Sequence, residues 1–328
     1  MTPSKTSIDW LSVSTLADPA ELVSATRSLF PGVKFNPTRG GWKGYTERFD
    51  MEVPGGTLGF LATGGESQRG RSSLSLTGLA CSMLDDHNRL ADVYEPLKDA
   101  RPTRLDVALD DYRSERVSIE RVLQAYEANL LRQAGRGRPP KLDSHGEAKK
   151  RGGTPWGGIT LTVGSRESDC YTRFYEKGCK KLEEMENAHH AALRASWQQI
   201  WNQWPPGHPD RAPLYLHTRA EVELKPKTRA LTLDMIRSRD NVFAAVSPFH
   251  SSLVEHAEPM RRDRLDRVVI DDAERKLDNL AKQYSRTINE LVAVFGGDAS
   301  YVWNRLRGCI ESPVSERIAR VDGLKRTA

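Results

Sequence analysis

The chain has 328 residues, 49 Lys and Arg against 44 Asp and Glu, and a mean hydropathy of -0.59, so it can bury a large core in one or two domains and is strongly polar. No run of about 18 apolar residues occurs, which argues against a helical membrane span, and Met1-Thr2-Pro3-Ser4-Lys5-Thr6-Ser7 lacks the apolar stretch of a secretion signal, so a cytoplasmic protein is expected. The scattered cysteines Cys81, Cys170, Cys179 and Cys309 form no Cys-x-x-Cys pair and no His-x-His occurs, so neither a zinc site nor a disulfide framework is expected.

In chain order, a strand over 7–13 leads into a helix over 18–29 whose start is marked by Asp18-Pro19. Strands follow over 43–52, 57–63 and 72–78, separated by the turn signals Pro54-Gly55-Gly56 and Gly64-Gly65. A helix over 86–99, a strand over 103–112 and a helix over 117–132 come next. A basic Gly/Pro loop over 133–157 then precedes strands over 158–164, 170–177 and 214–225, with a long helix over 179–203 between the last two. From 231 to 325 the pattern is helical, with Leu277, Leu280, Ala281, Tyr284 and Ile288 at helical spacing and Gly296-Gly297 as an interruption. A boundary near 228 divides residues 1–228 from a helical region, 229–328. The segment from Tyr284 to Arg307 can be read as a helix-turn-helix for duplex DNA, although an ordinary helical hairpin is favoured. The expected class is α+β, an antiparallel sheet with helices on one face.

Positive charge is concentrated between Arg132 and Arg151. There Arg132, Arg136, Arg138, Lys141, Lys149, Lys150 and Arg151 face only Asp143 and Glu147, an excess as large as the net +5 of the whole chain. Such a cluster attracts polyanions. Side-chain alternation sorts the strands that flank it. Arg104, Asp106 and Asp110 share one face, opposite Leu105, Val107 and Leu109. Arg219, Glu221, Glu223 and Lys225 oppose Ala220, Val222 and Leu224. Tyr171, Arg173, Tyr175 and Lys177 lie together, with Phe174 opposite. One sheet accounts for all of them, with an apolar face under helices and a face of carboxylates, cations and tyrosines.

A tyrosine between Arg173 and Lys177 suits a DNA-nicking enzyme, because its hydroxyl can attack a phosphodiester while the cations hold the phosphate and stabilise the developing charge. Tyr175 is the candidate nucleophile and Tyr171, on the same face, is its competitor. Along a regular strand Asp106 and Asp110 stand roughly 13 Å apart and Glu221 and Glu223 about 6.6 Å apart. The favoured metal ligands are therefore Asp106 with Glu221 and/or Glu223, with Asp110 a further candidate, and oxygen donors suit Mg²⁺ or Mn²⁺. Arg104, Arg166, Arg219 and Lys225, together with Arg136, Arg138, Lys149, Lys150 and Arg151 of the basic loop, are candidate DNA contacts.

The blocks Pro102-Thr103-Arg104-Leu105-Asp106-Val107-Ala108-Leu109-Asp110, Gly164-Ser165-Arg166-Glu167-Ser168 through Arg173-Phe174-Tyr175-Glu176-Lys177, and Arg219-Ala220-Glu221-Val222-Glu223-Leu224-Lys225 occur in that order. In them the chain resembles Rep_trans-type replication initiation factors, the rolling-circle initiators of plasmids and filamentous phages, over roughly residues 7–230. The resemblance implies a modified RRM/ferredoxin-like sheet, single or duplicated, and makes Tyr175 the nucleophile that nicks origin DNA. A 5′-phosphotyrosine and a free 3′-OH would result, with later religation. It also implies a divalent metal, a host helicase as partner and a bacterial host cytoplasm, and leaves a homodimer open. Two alternatives stand beside it. A non-catalytic replication or transcription regulator could use the same cationic face, and a hydrolytic metal-dependent nuclease could use the carboxylates without the tyrosine.

Overall fold

In the computed structural model the described residues are 6–132, 140–146, 149–151, 154–156, 158–180, 216–260, 262–263 and 269–310. Twelve strands are present among them: β1 (Ser7–Thr15), β2 (Lys34–Pro37), β3 (Glu47–Val53), β4 (Gly56–Thr63), β5 (Ser72–Leu76), β6 (Arg101–Asp111), β7 (Leu142–His145), β8 (Lys149–Arg151), β9 (Thr154–Trp156), β10 (Thr160–Val163), β11 (Cys170–Tyr175) and β12 (Thr218–Leu224). Ten of them form one sheet in the order β2-β3-β4-β5-β1-β6-β12-β11-β10-β7, and β8 and β9 pair as a separate hairpin. Every pairing is antiparallel.

The order is a repeat. Read outward from the centre, one half runs β1-β5-β4-β3-β2 and the other β6-β12-β11-β10-β7. In each half the first strand lies at the centre, the last lies beside it, and the others follow in reverse. Each first strand is also followed by a helix, at Pro19–Leu29 and Ile119–Glu127. The sheet is thus duplicated, and the polar groups read from the sequence blocks lie in the second half, on and around β6, β12 and β11.

Local chemistry explains the elements. The carboxylate of Asp18 accepts from the Ala20 amide at 2.7 Å, and Pro19 occupies the first turn where no amide is needed, so the helix begins there. Ser118 caps the helix at Ile119–Glu127 by accepting from the Arg121 amide. The apolar face of the sheet supplies Leu11, Val13, Leu74, Leu76, Leu105, Val107, Leu109, Phe174, Val222 and Leu224 to a single core. Leu22, Leu90, Tyr94, Val122, Phe243 and Phe249 enter that core from helices. The expected alternation therefore holds on both sides of the sheet.

Several expected bounds shift. The strand expected over 43–52 begins at Glu47, because Trp42 and Tyr45 exchange backbone hydrogen bonds across Lys43-Gly44, both at positive φ, and form a tight turn of their own. β2 is a strand that the sequence reading lacks. The helix expected over 86–99 spans Asn88–Tyr94. The helix expected over 179–203 falls outside the described residues, apart from its first two positions.

The compact unit that carries the sheet continues past residue 228 to Leu265, and a second unit follows from Asp266. In the first, helices at Arg239–Ala244 and Pro248–Leu253 bring Phe243 and Phe249 into the sheet's core, which explains why this stretch goes with the sheet. The second contains helices at Val269–Val294 and Ala299–Ile310 joined through Gly296 and Gly297, with Leu280, Tyr284, Val294 and Trp303 exposed. No helix of the described residues is long and apolar enough to cross a membrane.

Candidate active site

The register of β6, β12 and β11 sets the polar side chains in rows. Asp110, Arg219 and Tyr175 oppose one another in one row, Ala108, Glu221 and Arg173 in the next, and Asp106, Glu223 and Tyr171 in the third. Paired positions share a face, so the three sequence blocks do meet on one surface. Within it two clusters form.

The first is built around Asp106. Arg104 donates to it twice, from Nε at 2.8 Å and Nη2 at 2.6 Å, and the same Nη2 lies 3.2 Å from Glu223. Arg173 donates through Nη2 to Glu221 and lies 3.7 Å from Asp106. Lys225 pairs with Glu223. Tyr175 donates its hydroxyl to Glu221 Oε2 at 3.0 Å. Three carboxylates, all buried, converge on two guanidinium groups.

Burial and crowding shape the protonation of this cluster. Burial pushes Asp106 up to about 7, with Glu221 and Glu223 adding to the effect and Arg104 opposing it. Glu223 ends below the ordinary carboxylate range, since Lys225 and Arg104 outweigh its burial. Burial, with Glu221 beside it, holds the Tyr175 hydroxyl well above the usual tyrosine range, while Arg219 pulls the other way.

The second cluster is built around Asp110, which accepts from Arg219 Nε at 2.7 Å, lies 2.7 Å from His217 Nε2 and 3.5 Å from Lys177 Nζ. Arg219 also pairs with Asp9. Although burial works against it, Asp110 is held far below the usual carboxylate range by Arg219, His217 and Lys177. Tyr112 packs over His217 with ring centroids 4.5 Å apart.

Asp110 therefore stands with Arg219 and His217 rather than with the other three carboxylates. Its neighbour Asp111 points the other way and accepts from the amides of Arg113, Arg116 and Val117, which ties down the turn after β6. Arg219 is buried between two carboxylates, so it organises the site rather than facing solvent. Arg166 is exposed in the turn before β11, with its guanidinium over the Tyr171 ring. Lys225 bridges Glu223 and the backbone carbonyl of Arg166. Arg136 and Arg138 lie outside the described residues. Of Lys149, Lys150 and Arg151 only the backbone, in β8, is described.

Two members were missed by the sequence reading. His217 has the parity of Arg219 and Glu221, so alternation over the expected strand could have found it. Asp9 could not have been found that way. Ile8 pairs with Val107 and Trp10 with Asp106, so Asp9 is the extra residue of a bulge. The bulge re-aims the chain and lets both Asp9 and Trp10 reach the polar face.

Among the described residues no group of three His, Cys, Asp or Glu side chains is gathered closely enough to enclose a metal ion. The donor set nonetheless has the chemistry of a hard-cation site. Arg173 Nη2 sits between Asp106 and Glu221, and Arg104 Nη2 between Asp106 and Glu223, so positive groups already occupy the places where these oxygens converge.

No curated protein matches the chain. Among solved structures, a rolling circle replication initiator protein from Geobacillus stearothermophilus is similar at 18% identity and a TM-score of 0.43, over 67% of this chain and 74% of that one. The family model Rep_trans, described as replication initiation factor, matches residues 100–264, half of the chain, from β6 through the helices that close the core beyond β12. The chain belongs to the Rep_trans family of replication initiation factors.

Proposed function

We propose that this protein initiates rolling-circle replication by nicking origin DNA with Tyr175. The observation that carries the reading is the hydrogen bond from the Tyr175 hydroxyl to Glu221, itself held by Arg173. The Tyr175 oxygen attacks the scissile phosphorus, its proton passes to Glu221 Oε2, and the bond from phosphorus to the 3′ oxygen breaks. The 3′ oxygen leaves, takes up a proton to become the 3′-OH, and the 5′ phosphate remains on Tyr175.

Burial leaves little of Tyr175 as phenolate at neutral pH, so attack coupled to proton transfer suits it better than prior ionisation. Arg173 and Lys177 supply positive charge for the phosphate oxygens. Asp110 and Asp9 fix Arg219 opposite Tyr175, where its charge favours the oxyanion. Asp106, Glu221 and Glu223 are the residues that would hold Mg²⁺ or Mn²⁺, whose chemistry there is to draw charge from a phosphate oxygen. Exposed Arg166 would bind the DNA backbone. Origin DNA is the proposed substrate, with a host helicase as partner and a homodimer as an open assembly.

The test is to incubate the protein and Tyr175→Phe with Mn²⁺ and DNA containing the cognate origin, then to resolve the products under denaturing conditions. A protein–DNA adduct that disappears in Tyr175→Phe is expected. A nick without attachment would point to hydrolysis, and binding without any nick would point to a regulator.

A further inference from the structure

The polar face does not stop at the candidate active site. Trp10 Nε1 donates to Ser12 Oγ at 3.0 Å, and Ser12 Oγ lies 2.8 Å from Ser75 Oγ. Ser75 opposes Phe60 on β4, and Ser12 opposes Arg104 on β6. Arg104 lies over the Trp10 ring, 4.6 Å from its centroid, and holds Asp106. An unbroken line of side chains therefore runs from the carboxylate cluster across the centre of the sheet into its other half.

That half keeps the architecture and changes the chemistry. β5 occupies in it the place that β12 has in the catalytic half, and β4 the place of β11. Where β12 carries Glu221 and Glu223, β5 carries Ser73 and Ser75, and β4 presents Phe60 and Ala62 rather than tyrosine and arginine. The counterparts of Tyr175 and Glu221 there are replaced by Phe60, Ser73 and Ser75. What it offers is a floor of small hydroxyls ending in aromatic rings.

The rings are braced. Trp42 meets Phe60 edge-on at 4.7 Å and stacks on Tyr45 at 6.1 Å and 15°. Lys43 and Gly44 turn the chain between Trp42 and Tyr45, and a Cβ on Gly41 would stand 1.7 Å from the Tyr45 carbonyl oxygen, so the loop has little freedom to rearrange. Lys43 lies 4.9 Å from the Trp42 ring centroid, and Arg48, paired with Asp50 at 2.8 Å, lies 4.5 Å from that of Phe60. Arg39, Lys43 and Arg69 are exposed around this loop, with no ion pair among the described residues.

We propose that the Trp42–Phe60 platform, with Lys43 and Arg48 beside it, binds single-stranded DNA by base stacking, as an extension of the track that passes through the candidate active site. Half-buried rings suit an unpaired base, which can take the place of Lys43 on the Trp42 ring while that cation moves to a phosphate, with Arg48 staying paired to Asp50. A duplex, whose bases are already stacked, offers no such surface. β4 and β11 are five strand positions apart. That is about 24 Å at ~4.8 Å per strand. The choice of DNA rests on the nicking reading above, and the binding claim is tested apart from it.

The probe is a fluorescein-labelled sixteen-residue oligo-dT, titrated with the full chain and followed by anisotropy at several salt concentrations. Trp42→Ala should weaken binding about tenfold with an unchanged salt slope, as loss of stacking requires, and Trp42→Phe should retain most of the affinity. Lys43→Ala should reduce the salt slope by about 0.7, one phosphate's share for a single strand. Lys43→Glu, an exposed change that leaves the melting temperature in place, should weaken binding more than tenfold. The proposal is overturned if the wild type does not bind the probe, or if Lys43→Glu and a folded Trp42→Ala both bind as the wild type does. Oligo-dT contains no origin and needs no nick. Loss of the tyrosine adduct with Trp42-dependent binding intact would sink only the nicking reading, and the reverse result only this one.

Discussion

Removing Arg173 would take the paired cation from Glu221, a carboxylate at 3% exposure that water does not reach. Breaking one side of a buried ion pair costs more than the pair itself contributes, so Arg173→Met is expected to lose about 3–5 kcal/mol in urea unfolding. Adding Glu221→Gln should recover part of that stability without restoring the proposed DNA adduct, because the proton acceptor proposed for Tyr175 is then gone. Simple additivity of the two losses would contradict the shared network.

A second expectation at this scale concerns His250. Its Nδ1 meets Ser247 Oγ at 2.7 Å, its Nε2 is buried with no hydrogen-bond partner among the described residues, and Phe174, Phe243 and Phe249 surround the ring. Burial pushes this imidazole down to about 3. The folded state therefore binds the proton more weakly than the unfolded state, so stability is complete above the unfolded value near ~6.5 and declines as pH falls toward 3. The wild type should lose about 1.3 kcal/mol more than His250→Leu between pH 7 and 5.5. Parallel unfolding curves for the two proteins over that window would refute it.

At the scale of the element, the end of β6 shows how one residue step divides structure from function. Asp110 enters the candidate active site, and Asp111, on the opposite face, accepts three backbone amides at 3.1, 2.7 and 2.8 Å. Asp111→Ala leaves those amides short of an acceptor and should cost about 2–3 kcal/mol. Adduct formation per folded molecule should stay near the wild-type level, which a nicking assay corrected for folded fraction would check. A two-residue period is consistent with the opposite faces of this pair; the partners of each side chain could not be read from it. The bulge at Asp9 makes the same point in reverse, since a two-residue period cannot register an inserted residue.

On the scale of the whole molecule, most cations of the polar face are already committed to carboxylates, Arg104 to Asp106, Arg173 to Glu221 and Arg219 to Asp110. Paired cations release few counterions on binding DNA, so the salt dependence should be carried by exposed groups. Arg166→Ala is expected to lower the salt slope for origin DNA by about 0.7–0.9, while an equal loss of affinity at every salt concentration would assign Arg166 to another role.

The sequence by itself determined the class of the fold, the strands that carry the chemistry, which side chains share the polar face, and the family. Each depends on local periodicity or on contiguous motifs, and these survive in a linear string. Only the tertiary structure decided that Asp110 belongs with Arg219 and His217, that Asp9 joins them, and that the sheet is duplicated. It also decided that Trp10, Ser12, Ser75 and Phe60 continue the face beyond the motifs. Those facts depend on strand order and cross-strand register between segments as much as 210 residues apart. Register is set when the whole apolar face packs, and no single segment encodes it.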